Sequence, residues 1–454
     1  MLRLSVRKGF AIVAATMSLS GPGASETLAD ALATAYRNSG LIAQNRAVLR
    51  AADEDVAQAV AVLRPVLNYV ASADYVDGAP NDGFSASVGL SASMLLYDFG
   101  RSQLSVDAAK EAVLATRQAL VDIENTVLFN TVTAYLNVRT AEAFVDLRQN
   151  NVRLLTEQLR ATRDQFEVGE VTRTDVSLAE AALAAARSGL AADQGSLAQA
   201  RELYRVVVGQ YPGTLAPPPP TPAVPDTQKS ALDVARRNNP ALLQVQGQVK
   251  AAELGVLIAQ RLTRPTLNGT GGVTLDDDGD TVTSLGVQLS GPIYQGGAIT
   301  SQLRQAQANR DSLRGLLFNT GLLVDQEVGN AYASLAVAIA SIEASIQQVE
   351  AASLAFEGGR EEFQLGARTT LDVLDLEQDL LDARTNLISA RQDRQIATYQ
   401  ILDAMGLLTA EKMGLNVPIY DPKAYYNAVK DGPRHLVSPQ GEKLDRVLKA
   451  LGRN

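Results

Sequence analysis

The sequence predicts a mainly α-helical fold with a β-barrel portion, encoded by a tandem-duplicated chain. The duplication is visible in residues 166–180, FEVGEVTRTDVSLAE, which recur as FQLGARTTLDVLDLE in residues 363–377. In each half, two segments of alternating apolar and small polar residues precede a long stretch of helical composition. Internal repeats decide how the rest is interpreted, because each copy is one structural unit. Five positions recur 197 residues later, namely Phe166 as Phe363, Gly169 as Gly366, Thr172 as Thr369, Asp175 as Asp372 and Glu180 as Glu377.

The N-terminus has the pattern of a secretory signal. Arg3, Arg7 and Lys8 precede an apolar segment that is too short to span a bilayer. An N-terminal membrane anchor is the alternative. The signal and the repeat together predict five parts, which are a signal peptide (1–25), a first repeat (26–213), a Pro-rich linker (214–227), a second repeat (228–408) and a C-terminal tail (409–454).

Each repeat is predicted to contain two strands with one apolar and one polar face. From Phe84 to Met94 the even positions are apolar and the odd positions are serine or glycine. Residues 67–75, 267–275 and 285–290 alternate in a similar way. Such strands suit a water-filled membrane barrel, although a soluble hairpin packed on helices also alternates. Aromatic residues near the strand ends favour the barrel, and they are Tyr69, Tyr75, Phe84, Tyr97 and Tyr294.

Most of the remaining chain is predicted to be helix. Residues 101–166 contain neither glycine nor proline, and about 65 helical residues form a rod about 100 Å long. Apolar residues recur there every seven positions, as in a coiled coil. The partner rod, 298–363, contains Gly315, Gly321 and Gly329, which weaken the case for an unbroken helix. Shorter helices are expected over 28–63, 175–208, 231–262 and 372–405.

Composition and motifs exclude several kinds of activity. The net charge of −9 argues against nucleic acid as a partner. The absence of cysteine excludes disulfides, thiolate metal sites and cysteine nucleophiles. The single histidine, His435, lies in a polar tail, and no phosphate-binding glycine motif occurs. The acidic turn 276–280 lacks the spacing of a calcium loop. We therefore expect no enzyme activity, no cofactor and no metal.

Four strands per chain require an oligomer if they form a membrane barrel. The smallest membrane barrels use about eight strands, and an open sheet in lipid would leave backbone groups unpaired. At least two chains must then share one barrel, and three chains would give twelve strands.

This organisation resembles the TolC family of outer-membrane channel proteins over residues 27–408. The resemblance rests on the duplication, the Arg-Pro pairs before each strand pair and the two hairpin passages. The strand exits Tyr97-Asp98-Phe99-Gly100 and Tyr294-Gln295-Gly296-Gly297 add to it. It implies a trimeric 12-stranded outer-membrane β-barrel, with four strands per chain, continued by a long coiled-coil α-helical barrel in the periplasm.

The resemblance also implies a function and partners. The homotrimer would be the exit duct of a tripartite export system in a Gram-negative cell, conducting substrates passively across the periplasm and outer membrane. It would work with a periplasmic adaptor protein, an inner-membrane ABC or proton-driven transporter, and outer-membrane lipid. The tail around Tyr420 resembles the branch that serves type I protein secretion. A multidrug efflux duct with a proton-driven pump is one alternative, and a periplasmic coiled-coil scaffold is another.

The duplicated passages are predicted to be the tips of two helical hairpins. Gly169 and Gly366 are expected to end the long helices, and adaptor tips are expected to dock there. The next helices are expected to begin with capping boxes, formed by Thr172 with Asp175 and by Thr369 with Asp372.

Asp375 breaks the repeat, because its counterpart is Leu178. It is too deep in its helix to cap it, yet it shares a face with Asp372 three residues earlier. A trimer would bring six such carboxylates around one axis, and rings of Asp select cations. The resemblance likewise implies that these two aspartates form the narrowest periplasmic ring. A merely solvated acidic face is the alternative.

Three further residues match family positions that tie neighbouring hairpins closed. They are Arg368, Thr174 and Asp175, and a charge-assisted link between them would be a reversible latch. The family often has tyrosine where this chain has Phe363, which cannot donate a hydrogen bond. The latch is therefore expected to be weaker or differently built.

Overall fold

The computed structural model describes residues 25–78, 83–430 and 446. The predicted signal peptide, except its last residue, and His435 lie outside the described residues. The two repeats have the same order of elements: two short helices, two strands, a long helix and a helix that returns along it. The bounds are α1 Leu28–Asn38, α2 Gly40–Ala61, β1 Val66–Val76, β2 Gly83–Tyr97, α3 Arg101–Glu167, α4 Arg173–Val208, α5 Gln228–Asn238, α6 Pro240–Gln260, β3 Thr266–Asp276, β4 Thr281–Ser290, α7 Ala298–Gln364, α8 Thr370–Ala404 and α9 Pro422–Val429.

The four strands form one antiparallel sheet in the order β1-β2-β3-β4. The two repeats join in the middle of this sheet, where β2 pairs with β3. The register aligns Tyr69 with Leu90 and Leu90 with Val273, so apolar residues form rows across one face. Ser72 and Ser87 meet on the other face, with their Oγ atoms 2.9 Å apart. The predicted two-faced strands are confirmed, and within one chain β1 and β4 are the edges of the sheet.

The two long helices each contain 67 residues. The predicted rod over 101–166 is confirmed, and α7 is also continuous despite its glycines. Each internal glycine costs a helix about 1 kcal/mol relative to alanine. Packing of α7 along α8 and α6 offsets this cost.

The helices predicted over 28–63 and 231–262 are wrong in one respect, because each is split in two. Ser39 and Asn239 adopt extended backbone conformations between the halves. Their side chains cap the second helices by accepting hydrogen bonds from the amides of Ile42 and Leu242. Pro240 occupies the first position of α6, where its missing N–H costs nothing. These caps turn the chain at the same place in both repeats.

The main hydrophobic core lies midway along the rods, where α1, α3, α4, α7 and α8 meet. The residues between the repeats are tied to this region by two equivalent tyrosines. The hydroxyl of Tyr135 donates to the carbonyl oxygen of Ala216 at 2.6 Å, and that of Tyr332 donates to Pro225 at 2.6 Å. The Pro-rich segment is thus fixed to both repeats.

The residues after α8 return to the first repeat. The guanidinium of Arg46 lies over the rings of Tyr36 and Tyr420, 5.1 and 4.9 Å from their centroids. The hydroxyl of Tyr425 donates to Glu54 on α2 at 2.7 Å. Tyr420 and Tyr425 of the predicted tail are therefore packed against α2.

In the part of the chain that the structure describes, no helix is both apolar enough and long enough to cross a membrane.

Candidate functional site at the hairpin tips

The two hairpins, α3–α4 and α7–α8, end in turns of the same construction. Gly169 and Gly366 have φ angles of 82° and 76°, which L-residues rarely adopt. Their amides donate to the carbonyl oxygens of Phe166 and Phe363 at 3.0 and 2.9 Å. Glu170 closes a second bond, to Gln165. Both glycines therefore end the long helices as the sequence predicts.

Both return helices begin with complete capping boxes. The Asp175 carboxylate accepts hydrogen bonds from the amide and hydroxyl of Thr172 at 2.9 and 2.6 Å. The Asp372 carboxylate accepts the equivalent bonds from Thr369 at 3.0 and 2.8 Å. The Thr172 bonds lower the pKa of Asp175, and the Thr369 bonds lower the pKa of Asp372. Both caps are thus anionic at neutral pH.

Asp375 lies one turn further along α8 and is exposed. Among the described residues it makes no hydrogen bond or ion pair, so its charge is available to a neighbour or to an ion. Its counterpart Leu178 is half-buried. The structure thus places Asp372 and Asp375 on one helix face at the same tip, and their assembly into a ring remains a prediction about the oligomer.

The three predicted latch residues are not joined to one another within one chain. Nε of Arg368 donates to Glu362 of its own hairpin, and this bond raises the pKa of Arg368. Thr174 is exposed. The Asp175 carboxylate already accepts the hydrogen bonds of the capping box from Thr172. The nearby hydroxyl of Thr370, on the other hairpin, also lowers the pKa of Asp175. That hydroxyl makes no well-formed hydrogen bond among the described residues.

One residue near the tips was not identified from the sequence as functional. Glu377 is 6% exposed, whereas its repeat counterpart Glu180 is exposed and pairs with Arg163 at 2.5 Å. Both repeats have glutamate at this position, so the repeat pattern gave no signal that one of the two side chains is buried. The difference arises from tertiary packing of α8 against α3.

The described residues contain no group of three or more His, Asp or Glu side chains that could hold a metal ion. The described carboxylates at the tips, those of Asp175, Asp372 and Asp375, therefore do not form such a group.

Known proteins are similar to this chain in sequence and in fold. Residues 31–210 and 231–407 match the family described as Outer membrane efflux protein. The Outer membrane efflux protein BepC of Brucella suis biovar 1 is 34% identical over 446 residues, which cover 95% of this chain and 97% of BepC. The Outer membrane protein TolC of Escherichia coli K12 is 28% identical over 399 residues, 80% of this chain and 78% of TolC.

The fold is also found in a solved structure, the outer membrane protein VceC of Vibrio cholerae. It superimposes with a TM-score of 0.75 at 20% identity, covering 84% of this chain and 96% of VceC. Both halves of the family match coincide with the duplicated halves of the fold. The chain therefore belongs to the outer membrane efflux protein family, whose members are located in the Gram-negative outer membrane and extend into the periplasm.

Proposed function

We propose that three copies of the chain form a passive exit duct for a tripartite export system. The observation that carries this proposal is the four-stranded sheet, which exposes rows of apolar side chains. Its edge strands, β1 and β4, pair with no further strand in the described part of the chain. Leu67, Tyr69 and Leu285 are 70%, 84% and 93% exposed in a single chain. Lipid would cover such residues, and pairing β1 with β4 of the next copy would remove the edges.

The long helices supply the second part of the duct. At a rise of about 1.5 Å per residue, α3 and α7 each extend about 100 Å from the strands. Three pairs of hairpins side by side would make a tube of that length in the periplasm. The tube would place the hairpin tips far from the barrel, where an adaptor could reach Gly169 and Gly366.

The tips supply the proposed control of flow. Six carboxylates, from Asp372 and Asp375 of three copies, would form a ring that attracts cations and narrows the entrance. Arg368 now bonds to Glu362 within its hairpin. Exchange of that bond for Asp175 or Thr174 of a neighbouring hairpin would form the latch, and Phe363 would not add a hydrogen bond to it.

Transport energy would come from partners, because the sequence contains no phosphate-binding glycine motif. We propose a periplasmic adaptor and an inner-membrane transporter as those partners. The tail residues 416–426 favour type I protein secretion and hence an ABC transporter. The Brucella relative is named an outer membrane efflux protein, which favours efflux as the second candidate. We propose drug efflux with a proton-driven pump for that case.

Cross-linking in intact cells, followed by detergent purification, tests the choice of partner. An adaptor recovered with an ABC transporter supports protein secretion. An adaptor recovered with a proton-driven pump supports efflux and overturns the interpretation of the tail. Recovery of the chain without any inner-membrane partner, from cells that are actively exporting, would contradict the tripartite system.

A further inference from the structure

A buried carboxyl group lies where the two hairpins touch each other, mainly through α3 and α8. Glu377 of α8 is 6% exposed, and its Oε1 accepts a hydrogen bond from Nδ2 of Asn151 on α3 at 2.6 Å. Its other oxygen, Oε2, has no hydrogen-bond partner among the described residues. Burying an ionised carboxylate without a cation is costly, so this contact favours the protonated acid.

Two cavities flank this carboxyl group. One has a volume of about 660 Å³ and lies between α3, α7 and α8. The other has a volume of about 140 Å³ and lies between α3, α4 and α8, with Ala186 and Leu374 in its wall. The hairpins are therefore loosely packed on both sides of Glu377, and a small separation there would admit water to it.

The charged groups that face these cavities do not neutralise Glu377. On α3 they are Arg148, Arg153 and Glu157, and Arg148 already bonds to Asp193 of α4 at 3.2 Å. On α7 they are Glu357, Arg360 and Glu361, and on α8 Arg384 lines the larger cavity. None of them forms an ion pair with Glu377 in the described part of the chain. Burial raises the pKa of Glu377 to about 7, and the Asn151 bond opposes this shift only in part.

The repeat provides an internal comparison. Glu180 occupies the same position in α4, but it is exposed and its carboxylate pairs with Arg163 within the first hairpin. The duplication has thus produced one solvated glutamate and one buried between hairpins. Only the buried one can couple a proton to the separation of the hairpins.

We propose that Glu377 is a gating residue that holds the two hairpins of each chain together when it is protonated and releases them when it is ionised. The proposal rests on the proposed duct, because hairpin separation at the tips would widen the entrance. The ligand of this site is a proton, so the pH of the periplasm would set how readily the duct opens.

The direction and the pH window follow from linkage. In the closed contact Glu377 holds its proton up to about pH 7, whereas an exposed glutamate releases it near pH 4.5. Opening therefore becomes more favourable as pH rises from about 4.5 to 7, by up to about tenfold per pH unit, and levels off above 7.

Conductance of the purified protein in planar bilayers tests this between pH 5 and 8. The wild type should open more often as pH rises to 7 and change little above 7. Glu377→Gln keeps the shape and the bond to Asn151 but cannot ionise, so its opening should stay at the low level and lack this slope. Glu180→Gln is the matched control and should keep the wild-type profile. A slope that persists in Glu377→Gln, or a wild type without one, would overturn the proposal.

A second measurement separates failure of this proposal from failure of the duct itself. The chain has no cysteine, so Ala186→Cys introduces a single thiol into the smaller cavity. Its labelling rate by a maleimide, divided at each pH by the rate in the same variant carrying Glu377→Gln, should rise between pH 5 and 7. A constant ratio would refute hairpin release whether or not the protein conducts. A rising ratio in a protein that never conducts would refute the duct alone.

Discussion

At the scale of single residues, the hairpin turns depend on two glycines with positive φ. A Cβ atom at Gly169 or Gly366 would meet no neighbour within 4 Å, so the backbone conformation is the only obstacle to alanine. We predict that Gly169→Ala or Gly366→Ala destabilises its tip by about 1 kcal/mol. Hydrogen exchange of the tip amides measures this.

Gly195 is the control for that experiment, because it lies inside α4 and a Cβ there also meets nothing. Gly195→Ala should stabilise its helix by up to about 1 kcal/mol. If alanine at Gly169 slowed exchange as Gly195→Ala does, the assignment of the turn would be wrong.

The tip residues show how far residue-level prediction reaches. The glycine turns and the capping boxes were predicted from the sequence, because they depend on residues within three or four positions of each other. The burial of Glu377 was not, because it depends on α3, more than two hundred residues away. The bond of Arg368 to Glu362 was also missed, since the latch hypothesis assigned Arg368 to a neighbouring hairpin.

At the scale of elements, the end of α8 packs tightly on the corner between α5 and α6. A Cβ on Gly406 would lie 2.5 Å from the carbonyl oxygen of Asn238 and 2.7 Å from Cδ of Pro240. At its repeat counterpart Gly209 the nearest atom is a side-chain atom of Asn38, at 3.1 Å. Both glycines have positive φ.

We therefore predict that Gly406→Ala is more damaging than Gly209→Ala. The first adds a clash with backbone to the strain of the turn and should cost about 2 kcal/mol or more, whereas at Gly209 the Cβ and Nδ2 atoms of Asn38, both at 3.1 Å, need to shift only slightly. Thermal unfolding in detergent compares the two variants. Equal losses would contradict the difference in packing between the repeats.

The elements themselves were predicted well because their signals are local. Alternation marked the strands, and the absence of glycine and proline marked α3. The splits at Ser39 and Asn239 were missed because helical composition continues across them. The start signals Ser39-Gly40 and Asn239-Pro240 were present in the sequence, and the extended backbone at Ser39 and Asn239 shows that they are used.

The hydrogen bonds that hold the segment between the repeats can be tested by removing the tyrosine hydroxyl groups that donate them. The hydroxyl of Tyr135 donates to the carbonyl oxygens of both Glu26 and Ala216, whereas that of Tyr332 has one acceptor among the described residues, the carbonyl oxygen of Pro225. Tyr135→Phe leaves two carbonyl groups without this donor and should cost about 1–3 kcal/mol, more than Tyr332→Phe. Limited proteolysis of the Pro-rich segment and unfolding in detergent measure both variants. A larger effect of Tyr332→Phe would contradict the structure.

At the scale of the whole molecule, a single chain leaves sheet edges and apolar surface uncovered. Its sheet has two open edges, and apolar residues of α7 such as Phe318 and Leu354 are 71% and 73% exposed. The chain belongs to a family of outer-membrane proteins, which disfavours the hypothesis of a soluble periplasmic scaffold. The sequence could predict the number of strands, but the number of copies, the partners and the cargo depend on surfaces of other molecules. The boundaries of the five predicted parts likewise stay a prediction.

The central claim is that the assembled chain is a passive, cation-selective duct whose entrance is ringed by Asp372 and Asp375. Reversal potentials across planar bilayers in a salt gradient test it most directly, with no energy source present. The wild type should conduct and prefer cations, and Asp372→Ala combined with Asp375→Ala should lose most of that preference. Asp375→Asn alone should lose part of it without disturbing the capping box. A protein that does not conduct, or a double variant with unchanged ion selectivity, would contradict the account.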